Sequence, residues 1–167
     1  MLILGIDPGV ARVGYGVLQY AGERIVAHTH GCIETTAEHA PAERLHMVGV
    51  AVRALCEKYH PDVVAVEKLF FEKNVKTAIM VAEGRGSILF AAAEAGIPIV
   101  EMTPLQVKMA VTGSGRADKQ QVQEMVRRTL KLVTVPKPDD AADALAIAMT
   151  GMRFFAAQKL YAQTQRK

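Results

Sequence analysis

The sequence holds only two cysteines, Cys32 and Cys56, far apart and without the spacing of metal ligands. That excludes a cysteine-built metal centre, and both thiols are expected to pack as small apolar side chains. Long hydrophobic runs are also missing: Asp7 interrupts LILGI, and the alanine-rich stretches carry charge, so no segment approaches a membrane span. Nor does any stretch show the charged start and cleavage site of a secretory signal, which leads us to expect a cytosolic chain with no membrane partner. There is no GK[ST] phosphate loop, and Gly14-Tyr15-Gly16 lacks the third glycine and following helix of a dinucleotide fingerprint. P-loop hydrolysis and NAD binding are therefore poor readings. Gly113-Ser114-Gly115 could present amides to a phosphate before a helix, but a flexible connection is the more ordinary explanation.

What the chain does contain fits one compact domain, with 167 residues of which 50% are hydrophobic. A formal charge of +3 and a pI near 8.9 permit an anionic partner such as nucleic acid without demanding one.

Apolar periodicity orders the elements. LILGID and GYGVLQY, separated by a DPG turn, form a hairpin, and a third strand over Val26 to Glu34 completes a meander. Leu45, Val48, Val52, Leu55 and Tyr59 recur at helical intervals between Pro41 and Pro61. DVVAVE is a short buried strand, Val75 to Ala95 a helix closed by Gly96, and IPIVEM a fifth strand. Thr103 with Gln106 and Asp118 with Gln121 are capping pairs that start helices running to Val111 and Leu130. A last helix is expected from near Pro138 to about Phe155. The order βββαβαβααα describes an α/β fold with a five-stranded mixed sheet, three antiparallel strands followed by parallel ones, and helices on both faces. We assign residues 1–156 to this domain and 157–167 to a polar, mobile tail.

Four acids stand where acids are costly. Asp7 ends one apolar run, Glu67 ends another, and Asp140 and Asp143 open the alanine-rich DDAADALAIAM. A carboxylate at a buried strand end costs several kcal/mol unless it is protonated, hydrogen-bonded or facing a cation. Converging carboxylates repel one another, and a divalent ion removes that penalty. If the first and fourth strands are neighbours, Asp7 and Glu67 meet, and the i,i+3 spacing of Asp140 and Asp143 puts both on one helix face. The plainer alternative is that the two aspartates complement a helix N-terminus while Asp7 and Glu67 pair with basic residues.

These residues resemble the RuvC family of Holliday-junction resolvases, crossover junction endodeoxyribonucleases of the ribonuclease H-like superfamily. GIDPG near the start, E-x-x-F-F-x-K-N at Glu67 to Asn74, QVK at Gln106 to Lys108 and DAADALAIA near the end fall in family order, over residues 2 to 155. The resemblance implies a ribonuclease H-like fold in which Asp7, Glu67, Asp140 and Asp143 bind two divalent ions, normally Mg2+, with Mn2+ as a substitute. It implies paired symmetric nicks in a four-way DNA junction, leaving 5′-phosphate and 3′-hydroxyl ends, in recombination and repair.

By the same resemblance, Lys108 and Lys119 are cationic helpers at the scissile phosphate, with ordinary solvated helix surface as the alternative. Asp139 is a third acid where the family pattern needs two. The DxxD spacing favours Asp140 as ligand and leaves Asp139 to the helix terminus. Phe70 matches a base-contacting aromatic of the family, and with Lys73, Lys76, Arg116 and Lys119 it forms the expected DNA contact set. Phe71 is expected to pack inward. Ala82, Gly84 and Gly86 give a helix surface open to close backbone approach, either within the chain or in the two-fold homodimer the family implies. Association with the RuvA and RuvB branch-migration proteins is implied as well. Two other classes compete. One is a catalytically silent junction-binding dimer, told apart by metal-dependent nicking; the other is a sugar-kinase or actin-like phosphotransferase, whose second phosphate loop and greater length are missing.

Overall fold

The computed structural model describes residues 1–9, 11–22, 24–69 and 75–164, with the side chains of 75–77 and 162–163 left aside. Five strands, β1 (Leu2–Asp7), β2 (Arg12–Ala21), β3 (Arg24–Glu34), β4 (Val63–Glu67) and β5 (Ile99–Met102), form one sheet in the order β3-β2-β1-β4-β5. β1–β2 and β2–β3 pair antiparallel, whereas β4 pairs in parallel with both β1 and β5. The expected mixed sheet is therefore present. β2 and β3 extend each about two residues further toward their shared turn or its far end than the apolar alternation indicated, because Arg12, Ala21 and Arg24 join the ladder by backbone pairing alone.

The helices are α1 (Pro41–Tyr59), α2 (Val75–Glu94), α3 (Pro104–Thr112), α4 (Lys119–Thr129) and α5 (Asp139–Thr164). Strand alternation divides the core in two. Ile3, Val63, Ala65, Val100 and Met102 pack with α3, α4 and α5 on one face. Leu4, Ile6, Val64 and Val66 pack with Val48, Val52 and Cys56 of α1 and Ile88, Ala91 and Ala92 of α2 on the other. Among the described residues no helix is long and apolar enough to cross a membrane.

Both capping pairs form as the sequence implies. Thr103 Oγ1 accepts from Gln106 N at 3.1 Å while Gln106 Oε1 accepts from Thr103 N at 2.8 Å. Asp118 Oδ1 accepts from Gln121 N at 2.8 Å, and Gln121 returns the bond at 3.0 Å. Such caps each stabilise a helix start by about 1 kcal/mol. α3 stops at Gly113, whose φ of 76° is open to glycine at little cost.

α5 is the main departure. It continues past Phe155 to Thr164, because Ala156, Ala157, Gln158, Lys159 and Leu160 are good helix formers and no breaker intervenes. Lys159 also lies over the Phe155 ring at 4.6 Å, tying the extension back to the last buried aromatic. On α2, a Cβ at Gly84 would come 3.6 Å from the Gly9 carbonyl, an ordinary contact, so Gly84 lies against the chain's own backbone without needing to be glycine. Gly86 has open space above it.

Candidate active site

Asp7 and Glu67 are the last residues of β1 and β4, parallel neighbours whose register runs through Ile6↔Val66. The alternation that sends Ile6 and Val66 toward α1 and α2 turns both carboxylates to the opposite face, under α5. α5 approaches the sheet closely because the strands beneath it carry glycine. A Cβ at Gly5 would stand 2.3 Å from the Ala144 carbonyl oxygen, one at Gly14 would stand 2.0 Å from that of Asp140, and one at Gly16 would meet Leu145 Cδ2 at 2.7 Å. The Gly14-Tyr15-Gly16 segment is thus a seat for the helix that bears Asp140 and Asp143. The alanines of DDAADALAIAM supply the other half of the fit, with Ala141, Ala142, Ala144, Ala146 and Ala148 all fully buried.

A cleft of about 210 Å³ opens at these strand ends, lined by Asp7, Glu67 and Asp143 together with Lys108 of α3 and Lys119 of α4. Pro104, Val107, Val122, Ala146 and Ile147 supply its apolar wall. A larger hollow of about 440 Å³, with Arg53, Cys56 and His60 among its lining, lies at the other ends of β4 and β5. It has no converging carboxylates, and its Glu94 is paired to Arg53 at 2.6 Å. The smaller cleft is at the carboxyl ends of the parallel strands, where open α/β sheets place their chemistry.

Electrostatics single out the same cleft. Burial raises the Asp7 carboxyl well above the usual range, and the charges of Asp143, Glu67 and Asp140 push it further. Glu67 is raised to about 7, by burial first and by Asp143 second, with Lys108 opposing. Asp143 is raised by burial even though Lys119 holds it at 2.9 Å. Lys119 also binds Asp139 at 2.5 Å. Burial works against the lysine's charge, but these two partners hold its ammonium above its ordinary value.

The remaining expected residues occupy distinct places. Asp139 is the first residue of α5, and Lys119 draws its carboxyl below the usual range. Its charge suits the helix's positive end. Asp140 stands beside the cleft: Arg12 Nε lies 3.4 Å from its Oδ2 but is not aligned for a hydrogen bond, and that buried oxygen accepts none from the described residues. Arg116 is exposed in the loop between α3 and α4. Phe70, Phe71 and Lys73 lie outside the described residues, and of Lys76 only the backbone, in the first turn of α2, is described.

Two arginines at the site were not foreseen from the sequence. Arg12 touches Asp140, and Arg85 of α2 donates from Nε to the Glu67 carbonyl at 3.1 Å. Neither stands at a telling spacing from its acid in the chain, so only tertiary contact reveals them.

Among the described residues no three carboxylate, imidazole or thiol groups close tightly enough to grip one ion as they stand. The cation beside Asp143 is the Lys119 ammonium. The donor set nonetheless suits a hard divalent ion: mutually repelling carboxylates and one buried, unbonded oxygen on Asp140 offer only oxygen ligands.

A sheet in the order β3-β2-β1-β4-β5, with an acid-bearing helix laid over the ends of β1 and β4, defines a nuclease of the ribonuclease H-like fold. Residues 3–151 match the family model for crossover junction endodeoxyribonuclease RuvC, and the chain belongs to this RuvC family. A relative of that description from Desulfitobacterium hafniense is 53% identical over 149 residues, covering 89% of this chain and 90% of the relative. One from Brevibacillus brevis is 51% identical over 154 residues, covering 92% and 93%. The solved Thermus thermophilus RuvC in complex with its Holliday junction substrate superposes with a TM-score of 0.88 at 36% identity, over 95% of this chain and 96% of that one. The yeast mitochondrial Holliday junction resolvase shares the fold, with a TM-score of 0.66 at 19% identity. Nucleases of the RuvC family are metal-dependent.

Proposed function

We propose that this protein is a structure-selective endonuclease that resolves four-way DNA junctions by paired, symmetric hydrolytic nicks in recombination and repair. The observation that carries the reading is the cleft itself, where acids from β1, β4 and α5 are forced together against burial and mutual repulsion, with two lysines beside them. Membership of the RuvC family supports the junction as substrate.

In this reading Asp7, Glu67, Asp140 and Asp143 hold two Mg2+ ions, with Mn2+ able to replace them. Such ions, when bound, favour attack by water on the scissile phosphorus and offset charge on the departing 3′ oxygen. The chain's own groups do the rest. Lys119 favours the anionic form of Asp143 and holds it in place, and Lys108 offers a positive charge at the cleft wall to a phosphate oxygen. The apolar wall of Val107, Val122 and Ile147 limits water around the reacting phosphate. The products would be 5′-phosphate and 3′-hydroxyl ends.

A four-way junction needs two cuts, and a two-fold homodimer supplies two sites. α2 supports this assembly. Ile79 and Phe90 are 55% and 65% exposed, and Gly86 lies open between them on the same side of the helix. Phe70, Lys73, Lys76 and Arg116 remain proposed DNA contacts, the RuvA and RuvB proteins proposed partners, and the cytoplasm the proposed location.

The test compares a synthetic four-way junction with linear duplex and with an RNA/DNA hybrid, all in Mg2+. Paired nicks at symmetric positions, with ligatable ends and little cutting of the other two substrates, are expected. Equal cutting of duplex or hybrid would remove junction selectivity while leaving the metal chemistry standing.

A further inference from the structure

We propose that Arg85 is a positioning residue for Glu67, holding the end of β4 from the face of the sheet opposite the cleft. The proposal rests on the assignment of Glu67 to the reaction.

The geometry of the two faces carries the argument. Glu67 turns its carboxylate toward the α5 face, where it lines the cleft. Arg85 projects from α2, on the face built from Leu4, Ile6, Val64 and Val66. From there its guanidinium reaches the strand ends, with Nε donating to the Glu67 main-chain carbonyl at 3.1 Å and Nη2 paired with the Glu101 carboxylate. Glu101 lies between Val100 and Met102, which both face α5, so its side chain is on Arg85's side. One planar group therefore ties α2 to β4 and β5 at the level of the catalytic acid.

The end of β4 leaves one main-chain group without a strand partner, the carbonyl that Arg85 takes. The strand is five residues long and its register with β1 stops at Val66, one residue short of Glu67. Pairing with β5 reaches Glu67, and Lys68 N donates to the Met102 carbonyl at 2.8 Å. The bonds of Val64 N to Pro98 and Lys68 N to Met102 turn the even-numbered residues of β4 toward β5, so the main chain of Glu67 faces β1, whose next position, Pro8, has no N–H to offer the Glu67 carbonyl. Its carboxylate, on the other face of the sheet, is repelled by Asp143. Without a fixed backbone the acid would swing away from its neighbours. The Arg85 side chain is 17% exposed and two of its donors are taken by the chain's own acceptors, which suits a brace and not a phosphate contact. Lysine could not replace it, since a point charge on a flexible stem does not reproduce the fork that serves a carbonyl and a carboxylate together.

The test measures junction cleavage at saturating substrate, junction affinity, and the rise in melting temperature caused by Mg2+, for wild type, Arg85→Ala, Arg85→Lys, Glu101→Gln and Glu67→Gln. We expect kcat of Arg85→Ala to fall about 10- to 100-fold, the loss typical of a displaced catalytic group. Junction affinity should stay at the wild-type level, and the Mg2+-induced rise in melting temperature should shrink. Arg85→Lys should recover little of either. Wild-type kcat and wild-type Mg2+ response in Arg85→Ala, with only a lower melting temperature, would overturn the proposal. Weakened junction binding with normal kcat would overturn it too, by making Arg85 a DNA contact. Should Arg85→Ala fail to fold, Glu101→Gln decides: a reduced kcat and Mg2+ response support the brace, and unchanged values refute it. Glu67→Gln separates the two levels. If it cuts normally, the assignment of Glu67 is wrong; if it is dead while Arg85→Ala cuts normally, only the positioning role is wrong.

Discussion

Glu67 shows how one residue couples stability to chemistry. Its carboxyl is raised from 4.5 to about 7, chiefly by burial, so between those values the folded chain keeps a proton that the unfolded chain has released. The resulting stability is present at the low end of this window and is lost as pH rises through about 7. Metal-free protein should therefore melt at progressively lower temperature from pH 5 to pH 7.5, a trend that Mg2+ should flatten. Glu67→Gln should remove the trend in part and stabilise the metal-free protein at high pH by about 1–2 kcal/mol, the full shift being discounted for partial solvent exposure. A melting series with and without Mg2+ checks both. Lys119 works in the opposite sense, lowering the Asp143 carboxyl by direct contact. Lys119→Met should reduce cleavage about 10- to 100-fold, as for displacement of a catalytic group it holds in place. It should also move the acid limb of the pH-rate profile to higher pH, because Asp143 loses its cation. An unchanged profile would separate Lys119 from Asp143. At this scale the sequence revealed the acids, since each ends an apolar run or opens a helix. It did not reveal Arg12, whose partner stands on α5, or Arg85, whose partners stand on β4 and β5.

At the scale of elements, the site depends on how near α5 lies to β1 and β2. Gly14 has no room for a methyl group, with a Cβ due 2.0 Å from the Asp140 carbonyl oxygen. Gly14→Ala should cost about 1–3 kcal/mol by overpacking, and cleavage should drop more than this loss of stability explains, because Asp140 and Asp143 move with the helix. Melting and single-turnover cleavage on the same preparation check this. The order of all ten elements was legible from periodicity and caps: Thr103 and Asp118 start α3 and α4 as the capping pairs imply. The far end of α5 was not, because a polar composition looks like a tail even when its residues favour helix. The function of Gly14 and Gly16 also escaped, since a seat for a helix that arrives over a hundred residues later leaves no local mark.

For the whole molecule, the proposed two-fold dimer is the governing idea: two strands must be cut, and each subunit would offer one cleft. The α2 stripe of Ile79, Gly86 and Phe90 is the surface we expect to pair. Phe90→Glu should shift the protein toward monomer in sedimentation and replace paired cuts by single nicks, with the carboxylate cleft intact. Paired cutting by a monomeric variant would exclude this face. The substrate was legible only as a family pattern across the entire chain, because four acids and two lysines specify phosphodiester chemistry without specifying which nucleic acid lies over them. The segment with Phe70 and Lys73 falls outside the described residues, so the expected base contact stands as the sequence left it.

On the proposed reading, the costly carboxylates are the catalytic site of a junction nuclease. Its most direct test follows binding and cutting of one four-way junction by wild type and Asp7→Asn in Mg2+. Both should bind with similar affinity; wild type should make paired symmetric nicks and Asp7→Asn none. Cutting by Asp7→Asn at the wild-type rate would contradict it.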